Sequence, residues 1–323
     1  MEFYRIRKKD LKESVKCARR VSTQTGKPFL YHWIDCLKCI VLYGCSPLQY
    51  KEGGFFELRS FDRNKTYTKY RSFRIKRLFN NPDFESVLNN KVEFNKHFSK
   101  YVGRKWIYCR EASQEELTDF LLSNKRIIVK PISLSKGNGI YELDRNKPDE
   151  EIVNSFLGKE VLLEECIIQH PLMCFGNKSV NTLRITTLLD SQGEVHIIKP
   201  VLRCGVGEAI VDNYCAGGVL YPIHSEYGII EGPGGNRKSG QVVFVHPGTN
   251  IFMIGRDIPY WNEAIDLVTS AAKQIPQLRF VGWDVAITEN GPVLIEGNTR
   301  PGAVTIKYLG AENGMYRKIL SYL

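Results

Sequence analysis

Asp284, Glu296 and Asn298 are two acids and an amide in a stretch that reads as a β-hairpin, and their spacing places all three side chains on one face. The arms are FVGWDVAI and PVLIEGN, joined by Thr288-Glu289-Asn290-Gly291. A three-residue loop of Glu289, Asn290 and Gly291, with Gly291 at positive φ, makes Thr288 oppose Pro292 and, counting outward, Asp284 oppose Glu296. Asn298, two residues on, shares that face. Like charges facing each other across strands cost about 0.2–1 kcal/mol. Among neighbours as apolar as Trp283, Val285, Ile287, Val293 and Ile295, such a pair asks for a cation. Two carboxylates and an amide suit Mg2+, which completes its octahedron with water and substrate phosphates. The chemistry indicated is that of a nucleotide.

A second cluster lies earlier. Lys130 closes the strand-like run RIIVK, and Ser135-Lys136-Gly137-Asn138-Gly139 follows within a few residues. A Gly-rich turn between strands leaves backbone N–H groups free to face phosphate oxygens, and a lysine at its root balances their charge. The spacing is not that of a Walker motif.

The elements that must position these residues are mixed. A helix with apolar Leu11, Val15 and Ala18 ends at Gly26, and a second runs from about residue 28 to Tyr43 and ends at Gly44. Residues 46–75 read as turns and short helices, and helical patterns return at 83–100 and at Glu115–Leu122, where Ser113 and Glu116 form a capping box. From Arg126 the chain turns to strands: RIIVKP, Ile140–Leu143, VLLEECII, the hairpin TLRITTLLD and VHIIKPVLRCG, then QVVFVHP. A helix over 261–274 precedes the acid-bearing hairpin. Helices mixed with antiparallel hairpins give an α+β architecture, not a repeating βαβ sheet.

At 323 residues and 43% hydrophobic the chain buries a substantial core. Nine cysteines without a regular framework, and a polar start (MEFYRIRKKD), point to a reducing cytoplasm. Cys36 and Cys39 fall in an apolar helical run with no second pair to complete a zinc site, and read as buried helix cysteines. No apolar stretch reaches the roughly 20 residues needed to span a bilayer. Residues 1–110 hold 25 Lys and Arg against 10 Asp and Glu, a net of +15, while the rest carries −5. That asymmetry predicts an anionic partner, met by the cluster Arg71, Arg74, Lys76 and Arg77. Nucleic acid is not expected, because no recognition helix or RNP-like motif is present.

The order of these features resembles the ATP-grasp superfamily from about Phe94 to Pro301. VNTLRITTLL, Arg203-Cys-Gly-Val-Gly, the segment through Val211, Asp212, Asn213, Gly217 and Gly218, then HPGT, IPYW, GWDVAIT and GPVLIEGN look like its sugar-transfer-associated branch. The resemblance implies an ATP-grasp domain over 94–323, with a small subdomain at about 104–163 and a large one at about 164–323, while the basic, mainly helical residues 1–93 depart from the Rossmann-like first domain of many members. It implies that Lys96 of an Asn-Lys element and Lys130 touch nucleotide phosphates. The hinge at Glu164 and Ile167 reads adenine through its main chain, and Gln169 or His170 takes the ribose. Arg184 and Arg203 meet the γ-phosphate or a carboxylate substrate, with Arg300 a further candidate. Asp284, Glu296 and Asn298 hold magnesium, as two ions, with Mn2+ able to substitute.

The implied activity is an ATP-dependent carboxylate–amine ligase that forms an amide through an acyl phosphate, on an acidic sugar or amino-acid building block of a surface polysaccharide. Its partners are then a small acidic substrate and an amine, with a lipid-linked or nucleotide-linked sugar or an anionic membrane surface at the basic region. The cytoplasm, including the inner membrane face, is the expected place. The rival readings are a phosphotransferase acting on a sugar hydroxyl and a non-catalytic binder of anionic surfaces.

Overall fold

Two helices open the chain, α1 (Lys8–Thr25) and α2 (Phe29–Tyr43), and both stop where glycine permits it. Gly26 and Gly44 take left-handed φ of 73° and 62° and return their N–H groups to the last turn. The computed structural model describes residues 3–133, 139–144, 150–176, 179–207, 218–236, 242–249, 251–302 and 315–323. Ser135, Lys136 and Gly137 of the Gly-rich turn, with Asn213 and Gly217, lie outside the described residues.

Val21, Cys36, Cys39 and Ile40 pack with Tyr50 and Phe55, which arrive from α3 (Pro47–Glu52) and the turn after it. Burial pushes the Cys36 and Cys39 thiols well up, and every described cysteine is free, as expected of packing residues. α4 (Ser60–Lys65) and α5 (Lys69–Phe79) complete the stretch read as turns and short helices. α6 (Ser86–Asn89) and α7 (Lys91–His97) follow.

The first sheet holds β1 (Trp106–Tyr108), β2 (Arg126–Pro131), β3 (Tyr141–Asp144) and β4 (Val161–Glu165) in the order β1-β4-β2-β3, all antiparallel. One face is covered by α8 (Gln114–Ser123), opened by the expected Ser113/Glu116 capping box, and α9 (Glu150–Phe156). The second sheet runs β11-β10-β5-β6-β7-β8-β9, again antiparallel throughout. Its strands are β5 (Thr182–Leu189), β6 (Val195–Cys204), β7 (Val219–Pro222), β8 (Gly234–Asn236), β9 (Val242–Val243), β10 (Phe280–Thr288) and β11 (Gly291–Asn298). α10 (Trp261–Gln274) lays Trp261, Ala264, Val268 and Ala271 onto the core that contains Leu183, Val285 and Leu294. The α+β expectation holds.

The acid-bearing hairpin reaches its expected pairing by an unexpected route. Gly291 takes a φ of 111°, as required, but the ladder closes one residue tighter, with Thr288 opposite Gly291 and Ile287 opposite Pro292. A β-bulge between Asp284 and Val285 leaves Ile295 unpaired and restores the count, so Asp284 faces Glu296 and Gly282 faces Asn298.

Residues 101–104 join the two sheets. Tyr101 O accepts from Leu294 N at 2.8 Å, and Gly103, at a φ of 55°, comes so close to β11 that an added Cβ would stand 2.3 Å from Val293 Cγ1. Only glycine permits that approach. On the far side Asn80, just after α5, spans the carbonyls of Phe280 and Thr299 at 2.8 and 3.0 Å, and α11 (Met315–Leu320) adds Tyr316 and Ile319 to the same cluster. The N-terminal helices are thereby fixed to the end of the acid-bearing hairpin.

Candidate active site

β10 sits between β5 and β11, and this order decides the environment of Asp284. Arg184 is its direct neighbour on β5 and Glu296 its neighbour on β11. Arg184 grips the carboxylate through two nitrogens, Nε to Oδ1 and Nη2 to Oδ2, the latter at 2.9 Å. Arg203, from β6, donates Nη1 to Oδ2 at 2.6 Å. Burial alone would raise the Asp284 carboxyl, but the charges of Arg184 and then Arg203 outweigh it and hold Asp284 well below the usual carboxylate range.

Glu296 has the opposite fate. Surrounding protein and the Asp284 charge lift its carboxyl to about 7. Because the side chain reaches solvent, the facing charge is the stronger reason. Asn298 donates Nδ2 to Glu296 Oε1 at 3.2 Å, which gathers the three predicted ligands on one face. Among the described residues no group of three or more His, Cys, Asp or Glu is placed to hold a metal. Two carboxylates and an amide nevertheless fit a hard divalent ion, and a crowded acid pair with one member lifted to about 7 is charge that such an ion would relieve.

A second charged group lies at the junction of the sheets. Glu164 on β4 is 3% exposed and accepts from Arg104 at 2.8 and 3.0 Å, from Lys130 at 2.5 Å and from Asn95 at 3.0 Å. Arg104 also donates to the carbonyls of Val102 and Leu294 at 3.0 and 2.6 Å, so one guanidinium binds β4 to β11. The Glu164 side chain thus holds Lys130 at the root of the Gly-rich turn. Gly139, at the far end of that turn, takes the positive φ of 71°.

Sequence reasoning placed a phosphate lysine at Lys96. The structure shows that side chain exposed and paired with Glu111 at 3.0 Å. Lys91, five residues earlier, is the lysine that turns inward. Its Nζ donates to Pro131 O at 3.0 Å, beside Lys130. Burial first, then the charge of Lys130, lowers its proton affinity, and Glu296 and Glu164 pull the other way. Lys91 therefore stands among Lys130 and both groups of acids. The sequence carried the signal, since Asn-Lys occurs at Asn90-Lys91 as well as Asn95-Lys96. Asn90 caps α7 by accepting from Val92 N and Glu93 N at 2.9 and 3.3 Å, which fixes where Lys91 leaves the helix.

Ile167 lies in irregular chain after β4. Gln169 exchanges two hydrogen bonds with the Asn181 backbone, at 3.0 and 3.1 Å, so its amide is occupied. His170 Nδ1 accepts from Leu172 N at 3.1 Å and caps a 3-10 turn, with the ring edge-on to Tyr260 at 5.9 Å. Arg300 lies over the Phe73 ring at 4.2 Å, away from the acid pair's hydrogen bonds.

Residues 70–319 match the family described as sugar-transfer associated ATP-grasp. Curated proteins give no match. Among solved structures, an ADP complex of purK, N5-carboxyaminoimidazole ribonucleotide synthetase, is 13% identical with a TM-score of 0.46, covering 74% of this chain and 52% of its own. The ATP-grasp ligase PsnB, complexed with a phosphomimetic variant of its minimal precursor, Mg and ADP, is 12% identical with a TM-score of 0.48, covering 76% and 62%. D-alanyl-alanine synthetase A from Vibrio cholerae O1 biovar eltor is 13% identical with a TM-score of 0.42, covering 79% and 69%. The chain thus spans between half and two thirds of the first two.

Proposed function

Because the chain belongs to the sugar-transfer associated ATP-grasp family, we propose that it is an ATP- and Mg2+-dependent ligase that joins a carboxylate to an amine. The observation that carries the reading is Lys91, which stands beside Lys130 on one side and within reach of the Glu296 charge on the other, cations for a polyphosphate beside oxygen donors for its metal. ATP lies between the two sheets, with the 104–163 portion closing over it from one side and the 164–323 portion supporting it from the other. Lys130, Lys91 and the turn ending at Gly139 hold the phosphates, and the main chain near Glu164 and Ile167 meets the base. Asp284, Glu296 and Asn298 hold Mg2+, as two ions in the fullest form, and the metal supplies charge neutralisation at the transferring phosphoryl group.

The chain's own part is positioning and cationic support. Arg203 and Arg184 line the face on which the acid substrate sits, and their hydrogen bonds to Asp284 fix both guanidinium groups there. A substrate carboxylate oxygen attacks the γ-phosphorus, the bond to ADP breaks, and the acyl phosphate is captured by an amine with loss of phosphate. The substrate is an acidic sugar or amino-acid unit of a surface polysaccharide, carried as a lipid-linked or nucleotide-linked sugar, and the work is done in the cytoplasm at the inner membrane face.

ADP release, measured across acidic sugars and amino acids with and without amines, tests the reading. Hydroxylamine in place of the amine should yield a hydroxamate, the trapped acyl group. A stable phosphorylated hydroxyl product formed without any amine would replace the ligase by a phosphotransferase.

Lys130→Ala should weaken ATP binding by about 1.5–3 kcal/mol, the scale of a charge-assisted hydrogen bond, and Lys91→Ala should do likewise. Lys96→Ala should not. Calorimetry on the three variants checks this, and equal losses at Lys91 and Lys96 would return the phosphate contact to the exposed lysine.

A further inference from the structure

We propose that α1 and α2 form a docking face for an anionic lipid bilayer. Arg71, Arg74, Lys76 and Arg77 belong to the +15 charge of residues 1–110, but the structure commits most of that cluster to the fold. Arg71 is 6% exposed and donates to the carbonyls of Arg63 and Thr66 at 2.9 and 2.8 Å. Arg74 donates to Tyr316 at 3.0 Å, and Lys76 pairs with Glu85 at 2.5 Å. The outward charge is elsewhere. Every Lys and Arg between residues 5 and 20 is exposed, while the acids of that stretch turn inward, Asp10 buried against Tyr70 and Glu13 half-buried.

α2 is unusual in the complementary way. Its buried face, His32, Cys36, Cys39, Ile40 and Tyr43, is ordinary. The opposite face carries Leu30, Ile34, Leu37 and Val41 at helical spacing, with Leu30 60% and Ile34 49% exposed and Tyr31 beside them at 54%. Leu37 packs in part against the helical core and Val41 is half-buried, but Leu30, Tyr31 and Ile34 in the first half of the helix stand exposed, and nothing within the described residues covers them. The two faces are neighbours: Arg19 of α1 lies over the Phe29 ring at 5.8 Å, and Trp33 donates to Ser14 at 3.1 Å.

An apolar stripe beside a row of cations free of exposed acids matches the chemistry of an anionic headgroup layer over acyl chains. A protein partner with an equally apolar strip would have no use for the adjacent cations unless it were also acidic. No described helix is long and apolar enough to cross a membrane, so the contact lies on the surface. It also reaches the reaction site. α5 touches α1 through Tyr70 and Asp10 at 2.5 Å, and is pinned just past its other end by Asn80 to Phe280 and Thr299, next to Asn298. Eleven helical residues span about 16 Å, so docking at α1 holds the catalytic face at a fixed short distance from the bilayer.

Flotation of the full chain with vesicles tests this. The protein should partition onto phosphatidylcholine vesicles containing phosphatidylglycerol, weakly onto phosphatidylcholine alone, and less as salt rises. Each cation near an anionic surface contributes roughly fivefold, so Lys12→Gln, Lys16→Gln and Arg19→Gln together should lower partition about 100-fold. Leu30→Ser with Ile34→Ser should lower it about tenfold or more. All these positions are exposed, so circular dichroism and ADP release in solution should match the parent. Absence of partition onto the anionic vesicles, or partition that neither set changes, overturns the proposal. So does a parent dimer that Leu30→Ser with Ile34→Ser converts to a monomer still bound to vesicles, because the stripe is then an interface between copies. The proposal does not rest on the ligase reading: failure of that reading appears as no ADP release under any lipid condition and leaves flotation unchanged.

Discussion

Glu296→Gln should abolish Mg2+-dependent ATP turnover while the protein remains folded and at least as stable as the parent. The two acids are unequal. Asp284 is neutralised from behind by Arg184 and Arg203, so its charge is already compensated, whereas Glu296 faces it with no comparable ion pair among the described residues and is lifted to about 7. Replacing Glu296 by Gln removes a metal oxygen and also removes the repulsion, worth about 0.2–1 kcal/mol in favour of the fold. Asp284→Asn is the informative contrast. It too should end turnover, but it leaves two arginines, 18% and 14% exposed, without their carboxylate, and should lower thermal stability. Turnover against Mg2+ concentration, paired with thermal melting, checks both. Full activity in Glu296→Gln would remove the metal assignment, and equal melting losses in the two variants would remove the asymmetry.

What the sequence showed and what it hid follow one division. Local rules were legible: the glycine stops of α1 and α2, the Ser113 cap, the helix Trp261–Gln274 and the acid-bearing hairpin all follow from propensity and periodicity within a few residues. The pairing of Asp284 with Glu296 was also right, but through two compensating departures, a tighter turn and a bulge at Ile295 that nothing in PVLIEGN announces. Bulges answer to the curvature a sheet needs, which is a property of the assembled strands. The inward-turning lysine was hidden for a related reason. Asn90-Lys91 and Asn95-Lys96 are equivalent as words, and only the capped start of α7 against β2 separates the one that turns in from the one that meets solvent. Arg104 was missed outright, because its partners Glu164 and Leu294 lie 60 and 190 residues away.

Arg104 is also why the largest stability effect belongs to a residue first singled out for adenine. Glu164→Ala should destabilise the protein by about 3–5 kcal/mol, the cost of leaving a buried cation without its partner. The carboxylate and Arg104 are 4% and 3% exposed, so water cannot take over the lost contacts. Burial by itself would raise the Glu164 carboxyl, yet Arg104 and then Lys130 overcome it and keep it well below the usual carboxylate range. A carboxyl depressed in the folded state stabilises the fold above its unfolded value of about 4.3 and loses that contribution as the pH falls below it. Parent and Glu164→Gln should therefore differ most at neutral pH, and the gap should narrow as the pH falls below about 4.3, where the unfolded parent takes up a proton that the folded carboxylate resists. Denaturant melts from pH 7 down to about 3 read this directly. A constant gap across the range would mean that the network acts through shape alone, and a gap under 1 kcal/mol at neutral pH would mean that Arg104 finds sufficient partners in the carbonyls of Val102 and Leu294. ATP affinity supplies the second half of the test. With Glu164 gone, Lys130 loses the contact that holds it at the root of the Gly-rich turn, so the Gln variant should bind ATP more weakly even at temperatures where it is fully folded.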